Sequence, residues 1–352
     1  MQTRELISKS DFVRGIAILW IMLYHAQARC SLMPVRFLQD IGYGGVDLFL
    51  LLSGFGCYLS LERNPNPVRF LKRRMARILP AYLPFILLWM GIRRATVGLY
   101  FTDFCGSLTM TGVWNDSIAH FNWFPDALLL YYILLPYICG IQRESRRPLF
   151  AFAGLLVLAF LVSGSFLHSV YLLIMSRLPV LVAGAFLARL QEALAKERRR
   201  SRILYRAVLV LSVPLAAAGF AILYWSLYCQ ASYDLWHYGL YWYPFFLIAP
   251  CLVFYLGKAE KLLSRLSFMA PLLGCVRLFG RASFELFLCH VFLFESMYTR
   301  FPDGLPGWQW ALLYALALVI GLLYRAFVQV LTKALRRIRR RFQAAGRQIP
   351  RT

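Results

Sequence analysis

Long apolar stretches alternate with short polar loops along the whole chain. A membrane-spanning helix needs about 17 to 25 mostly apolar residues, and a window of that length picks out about ten segments. They lie near residues 12–28, 44–61, 78–100, 123–141, 149–165, 170–188, 207–228, 237–256, 282–300 and 308–331. The pattern predicts an all-α, polytopic integral membrane protein of about ten transmembrane helices.

The composition supports a membrane protein over a soluble one. Of the 352 residues, 60% are hydrophobic and only 16% are charged, which is too apolar for a soluble domain of this length. No internal repeat or second domain is visible. We therefore expect one membrane domain over residues 1–332, followed by a short basic cytoplasmic tail over 333–352.

The positions of the basic residues predict the orientation of the helices. The net charge is +23, with 39 Lys and Arg residues, and cytoplasmic loops of membrane proteins retain such residues. With the N-terminus inside, nearly all of them fall in inner segments. The exceptions are Arg29, Arg36, Arg93, Arg94 and Arg300 in outer segments, and Arg177 and Arg325 within spans. Both termini are thus predicted to be cytoplasmic, and this alternation also argues against a nucleic-acid-binding face.

The sequence also raises the possibilities of a cleaved signal peptide and of a metal or disulfide site. Ala26-Gln27-Ala28 resembles a signal peptidase site, but cleavage there would remove one span and invert the charge bias. The eight cysteines are scattered without the spacing of metal ligands, which predicts neither a metal site nor a disulfide framework.

Ionisable side chains inside spans are costly, so each is a candidate for function. Alternatively, such groups pair with one another only to hold helices together. The candidates are His25, Asp47, Asp126, Arg177, Glu285, His290 and Glu295.

His25 and Asp47 are the strongest candidates for catalysis. An antiparallel hairpin of the first two spans places them at similar depth, where a carboxylate beside an imidazole would make a general base. Arg14 precedes His25 by about 16 Å of helix and projects from nearly the same side. This arrangement suits an anionic donor that enters from the cytoplasm, although Arg14 is equally explained as a positive-inside anchor.

These residues resemble motifs of the acyltransferase-3 family of membrane O-acyltransferases. The Arg14/His25 spacing is similar to the family's opening motif, and Gly44–Phe49 with Ser53-Gly54-Phe55 resembles its second-helix pattern. Further matches follow in order along nearly the whole chain: Arg73, Arg74, Arg77, Ile78, Pro80 and Tyr82; Trp123, Phe124, Tyr132 and Pro136; and Gly280, Ser283, Phe284, Leu286, Leu288 and His290.

The resemblance implies transfer of an acyl group, commonly acetyl, from cytoplasmic acyl-CoA to a hydroxyl of a cell-envelope glycan or glycolipid in a bacterial inner membrane. It implies that His25 and Asp47 are catalytic. Cofactor-binding residues would be Arg14, Arg73, Arg74 and Arg77, whose guanidinium groups can bind the phosphates of the coenzyme. Candidate substrate-binding residues are Trp123, Asp126, Arg177 and His290.

Two further hypotheses remain at this point. Ten spans with buried titratable groups also describe a transporter of sugars or lipid-linked saccharides, but no symmetric pair of broken helices is visible. A catalytically silent scaffold is the third reading. Leu128 and Phe284 support it slightly, because they stand where family members often carry a glutamate and a tyrosine.

Overall fold

The computed structural model describes residues 3–26, 28–96, 98, 100–115, 123–169, 171–196, 198–229, 238–301 and 305–345, and all regular elements in these ranges are helical. The helices are α1 (Thr3–His25), α2 (Met33–Asp40), α3 (Gly45–Arg63), α4 (Pro67–Thr96), α5 (Phe101–Thr109), α6 (Trp123–Glu144), α7 (Pro148–Gly164), α8 (Leu172–Met175), α9 (Leu178–Lys196), α10 (Arg198–Tyr224), α11 (Phe245–Leu263), α12 (Ala270–Arg281), α13 (Ser283–Arg300) and α14 (Gly307–Ala345).

The helices confirm a polytopic membrane protein. Each predicted apolar segment contains a helix, and six helical segments in the described ranges are long and apolar enough to cross a bilayer. They are Gly42–Arg63, Pro67–Thr96, Trp123–Glu144, Leu172–Ala193, Val210–Cys229 and Gly307–Ile338. Helix α7 is apolar but shorter. The count of about ten spans stays a prediction.

Two structural features differ from the predicted pattern. Helix α12 lies within a segment that was expected to be an inner loop, and it is too short to span a bilayer. Its residues Leu273 and Val276 are buried and pack with Phe12 of α1. Helix α14 continues through Ala345, past the expected domain boundary at residue 332, because no Gly or Pro interrupts its last turns.

Helices α1, α3 and α9 form the centre of the molecule. A Cβ atom at Gly184 of α9 would overlap the carbonyl of Leu51 in α3, and one at Gly54 would overlap the carbonyl of Leu181. These two glycines therefore let the backbones of α3 and α9 approach closely. Small residues commonly serve this purpose between helices in lipid, where van der Waals packing drives association.

The outer helices expose apolar side chains, as expected for surfaces that face lipid. On α14 these include Leu323 and Val330, which are 65% and 67% exposed. Leu149 and Phe150 of α7 and Val210 of α10 are exposed in the same way. A membrane thus accounts for the large apolar surface that would be a liability in water.

Contacts between loops join residues predicted to lie on the same side of the membrane. On the predicted inner side, Arg189 Nη2 donates to the carbonyl of Ser145 at 2.7 Å. On the predicted outer side, Arg29 Nε lies 3.0 Å from Asp40 Oδ1, and Tyr228 Oη donates to Asp40 Oδ2. These contacts agree with the orientation that the charges predict, and the orientation itself stays a prediction.

Candidate active site

His25 lies at the last residue of α1, with its ring partly buried. Its Nδ1 is 2.9 Å from the carbonyl oxygen of Ile21, one turn earlier. Because a carbonyl can only accept, we assign the proton of the neutral ring to Nδ1. The other nitrogen, Nε2, is then unprotonated, as a general base requires.

His290 of α13 is the closest polar side chain that the structure brings to His25. The Nε2 atom of His290 lies 3.4 Å from His25 Nδ1, and the ring centroids are 5.2 Å apart. His290 is fully buried, and its own Nδ1 is 2.8 Å from the carbonyl of Leu286. The ring packs in the buried interior beside His25, and the substrate-binding role suggested by the sequence stays a prediction.

Asp47 pairs with Arg177 and not with His25. Arg177 Nε lies 3.7 Å from Asp47 Oδ1, and both side chains are almost fully buried. In the described part of the chain, the hydrogen bonds of the His25 ring are to Ile21 and His290. The expected contact between His25 and Asp47 is therefore replaced by two separate pairs.

The geometry of α3 explains this difference. A Cβ at Gly45 would lie 2.5 Å from the carbonyl of Ala17, so Gly45 is the residue of α3 that faces α1. Asp47 follows two positions later and therefore points about 200° around the helix. Similar depth in a hairpin does not make two side chains face each other.

Arg177 lies between two tryptophans. Its guanidinium carbon is 5.2 Å from the ring centroid of Trp123 and 4.7 Å from that of Trp242, which are distances for cation–π attraction. Its Nη1 donates to the carbonyl of Leu173 at 2.6 Å. The remaining nitrogens Nε and Nη2, and both oxygens of Asp47, have no hydrogen-bond partner among the described residues.

Aromatic side chains connect this ion pair to His25. The Tyr24 ring is 5.1 Å from His25 and 5.3 Å from Tyr43, and Tyr43 is 5.0 Å from Trp242. The sequence analysis did not single out Tyr43 or Trp242. The only signal was the aromatic run at residues 241–243, which is weak in a chain with 16% aromatic residues.

Asp126 makes a local structural contact. Its Oδ2 accepts the backbone N–H of Val113 at 2.8 Å, and the side chain is buried. This bond holds the turn Gly112–Asn115, in which Trp114 stacks on Tyr171 at 5.3 Å. Asp126, one helical turn after Trp123, therefore stabilises a turn that lies in a predicted outer loop.

Basic side chains gather around Arg14, near the middle of α1. Arg14 Nη1 lies 3.6 Å from Asp11 Oδ1, and Arg281 Nε lies 4.0 Å from Asp11 Oδ2. Arg14 also interacts electrostatically with Arg74 and Arg77 of α4. Arg14 and Arg281 thus share one carboxylate while Arg74 and Arg77 add positive charge to their surroundings, which is an arrangement that favours an anionic ligand.

The predicted arginines of α4 differ in their surroundings. Arg74 is partly buried, and its guanidinium carbon lies 5.1 Å from the ring of Phe70 and 5.6 Å from that of Tyr132. Arg73 and Arg77 are exposed. Arg14, Arg74 and Arg77 therefore define the basic cluster, and a role of Arg73 in binding the donor stays a prediction.

Glu285 is an acidic candidate near the late motif, and it has a partner of its own. Glu285 Oε2 lies 3.9 Å from Arg325 Nη1, so it turns away from His290, as its position on the helix predicts. No group of three or more His, Cys, Asp and Glu residues within the described ranges could hold a metal ion.

The family comparison decides the identity of the chain. The model of the acyltransferase domain of the acyltransferase-3 family matches residues 7–326. The chain belongs to this family. It is therefore a membrane acyltransferase, and the resemblance of its ordered motifs is confirmed. Membership of an enzyme family favours catalysis over the transporter hypothesis.

A relative agrees with this assignment. A stretch of 156 residues is 26% identical to the Komagataeibacter xylinus protein named "Putative membrane-bound transacylase BcsY". The match covers 42% of this acyltransferase and 37% of that protein, little more than a third of the relative's length. No solved structure matches the chain.

Proposed function

We propose that this acyltransferase moves an acyl group, in the simplest case acetyl, from cytoplasmic acyl-CoA to a hydroxyl of a cell-envelope glycan or glycolipid. One observation carries the proposal: the middle and the C-terminal end of α1 hold complementary chemistry. The basic cluster surrounds Arg14, and the imidazole of His25 lies about 16 Å further along the same face.

The cluster of Arg14, Arg74 and Arg77 is the proposed site for the phosphates of the donor. Guanidinium groups bind phosphate oxygens bidentately and stay charged when partly buried. Asp11 holds Arg14 and Arg281 in place. The long pantetheine arm of CoA then has to carry the thioester along α1 toward His25. Arg73 is exposed, and we place it on the path by which the donor reaches this cluster.

The proposed reaction uses His25 as the general base. His25 Nε2 accepts the proton of the acceptor hydroxyl while the hydroxyl oxygen attacks the thioester carbonyl. The carbon–sulfur bond breaks, CoA leaves as a thiolate, and the imidazolium returns the proton to that sulfur. In a two-step variant, Nε2 first attacks the thioester carbonyl, the carbon–sulfur bond breaks and CoA leaves as a thiolate. The acceptor hydroxyl then attacks the acyl-imidazolium, the acyl–nitrogen bond breaks, and the hydroxyl proton passes to the thiolate.

The proposed acceptor site is the group of Trp123, Arg177, Trp242 and Asp47. Asp47 and Arg177 retain buried polar atoms that have no hydrogen-bond partner among the described residues, and such atoms bind hydroxyls well. The tryptophans present flat apolar faces with a polar edge. This combination suits a ring that carries several hydroxyl groups, and Asp126 supports the adjoining turn.

The test compares two histidines in cells. We expect His25→Asn to abolish acylation of the envelope glycan in a deletion strain complemented with the variant, with unchanged protein in the membrane. The control is His168→Asn, because His168 has a positive φ of 64°, which asparagine tolerates. Mass spectrometry of the glycan provides the readout. Normal acylation by the His25 variant would refute its role as base.

A further inference from the structure

We infer that His290 is a positioning residue that orients His25 by accepting a hydrogen bond from its Nδ1–H, in the place that a carboxylate occupies in many histidine dyads. The inference rests on the proposed role of His25. It concerns a contact between α1 and α13, which are remote in sequence, and it replaces the expected pairing with Asp47.

The hydrogen bonds fix the protonation of both rings. Each Nδ1 lies near a carbonyl of the preceding turn, at 2.9 Å for His25 and 2.8 Å for His290. A carbonyl accepts, so each neutral ring carries its proton on Nδ1. His290 Nε2 consequently carries no proton, and its lone pair faces His25 Nδ1 at a distance of 3.4 Å.

The proton on His25 Nδ1 therefore has two acceptors, the carbonyl of Ile21 and the lone pair of His290. Two acceptors restrict the rotation of the imidazole and keep the proton away from Nε2. They also stabilise the imidazolium that forms when Nε2 takes a proton from the acceptor. These are the tasks of an orienting partner in a catalytic dyad.

Aromatic side chains enclose the ring of His290. The side chain is fully buried, and its ring packs on Phe287 at 5.7 Å and Phe294 at 5.8 Å. Phe294 in turn packs on Trp310 of α14 at 5.4 Å. This apolar wall holds the ring still, so its lone pair keeps a fixed direction toward His25.

The experiment compares two side chains of nearly equal shape at position 290. His290→Gln retains an oxygen that can accept a hydrogen bond, whereas His290→Met fills similar space without a good acceptor. Activity of purified protein is measured as CoA release from acetyl-CoA in the presence of envelope glycan, per amount of folded protein.

We expect His290→Met to lower kcat about 10- to 100-fold, the range for loss of a hydrogen-bond partner of a functional histidine, with the KM for acetyl-CoA unchanged. His290→Gln should recover most of this loss. Equal losses in the two variants would mean that His290 is only structural, and unchanged kcat in both would also overturn the inference.

The two proposals fail separately. If His25→Asn remains active, the proposed base is wrong whatever His290 does. If His25→Asn is inactive but the Gln and Met variants at position 290 behave alike, His25 retains its role and only the positioning role of His290 is refuted.

Discussion

Asp47 and Arg177 form a buried pair whose geometry is loose. Their closest atoms are 3.7 Å apart, and several polar atoms of both side chains lack hydrogen-bond partners among the described residues. Desolvation of such a pair offsets much of its attraction, whereas removal of one partner leaves an uncompensated charge. The pair is therefore costly for stability alone, which agrees with a role in binding the acceptor.

A double-mutant cycle separates stability from binding at this pair. We expect Arg177→Met or Asp47→Leu alone to lower the free energy of unfolding by about 3–5 kcal/mol, because each strands a buried charge. The double variant should recover most of that stability but not the transfer activity. Thermal unfolding in detergent and acyl transfer are the two measurements.

An additive loss of stability in the double variant would contradict the pairing. Recovery of both stability and activity would mean that the pair only holds α3 to the turn that precedes α9.

At the residue scale, the sequence predicts positions along helices better than directions around them. The spacing of Arg14 and His25 was sufficient to place them on one side of α1. The partner of His25 could not be predicted, because depth in a hairpin does not decide which residue of α3 faces α1. That choice follows from the close approach at Gly45, a tertiary contact.

At the element scale, the packing of α12 against α1 supports the basic cluster. A Cβ at Gly280 would overlap the carbonyl of Asp11, and one at Gly15 would overlap the carbonyl of Val276. The two helices therefore meet backbone to backbone beside Arg14. The sequence did not predict α12, because a 12-residue amphipathic helix gives no signal in a search for membrane spans.

Two glycines of α12 provide a matched test of this packing. We expect Gly280→Ala to lower stability by about 1–3 kcal/mol through overpacking and to raise the KM for acetyl-CoA, because it displaces α12 from Asp11. Gly274→Ala is the control, since a Cβ there meets no atom within 4 Å. It should be neutral or stabilise the helix by up to about 1 kcal/mol.

Thermal unfolding and initial rates at varied acetyl-CoA check both variants. If Gly280→Ala matches Gly274→Ala in both measurements, the close contact between α1 and α12 is not needed.

At the scale of the whole molecule, hydropathy and composition predicted the all-helical, polytopic architecture. They did not predict which helices lie at the centre. The burial of α1, α3 and α9 depends on which apolar faces meet each other, and lipid-facing and protein-facing residues are both apolar in a membrane protein. The candidate site belongs to that central group.

We propose that the donor binds near Arg14 on the predicted cytoplasmic side and the acceptor reacts at His25 toward the predicted outer side, so that the two substrates are used from opposite sides of the membrane. The most direct test loads sealed proteoliposomes with radiolabelled acetyl-CoA and adds envelope glycan from a strain without this acyltransferase outside. The account predicts labelled glycan outside, an equal amount of free CoA inside, and neither with His25→Asn. Label transfer only when donor and glycan share one side would contradict it.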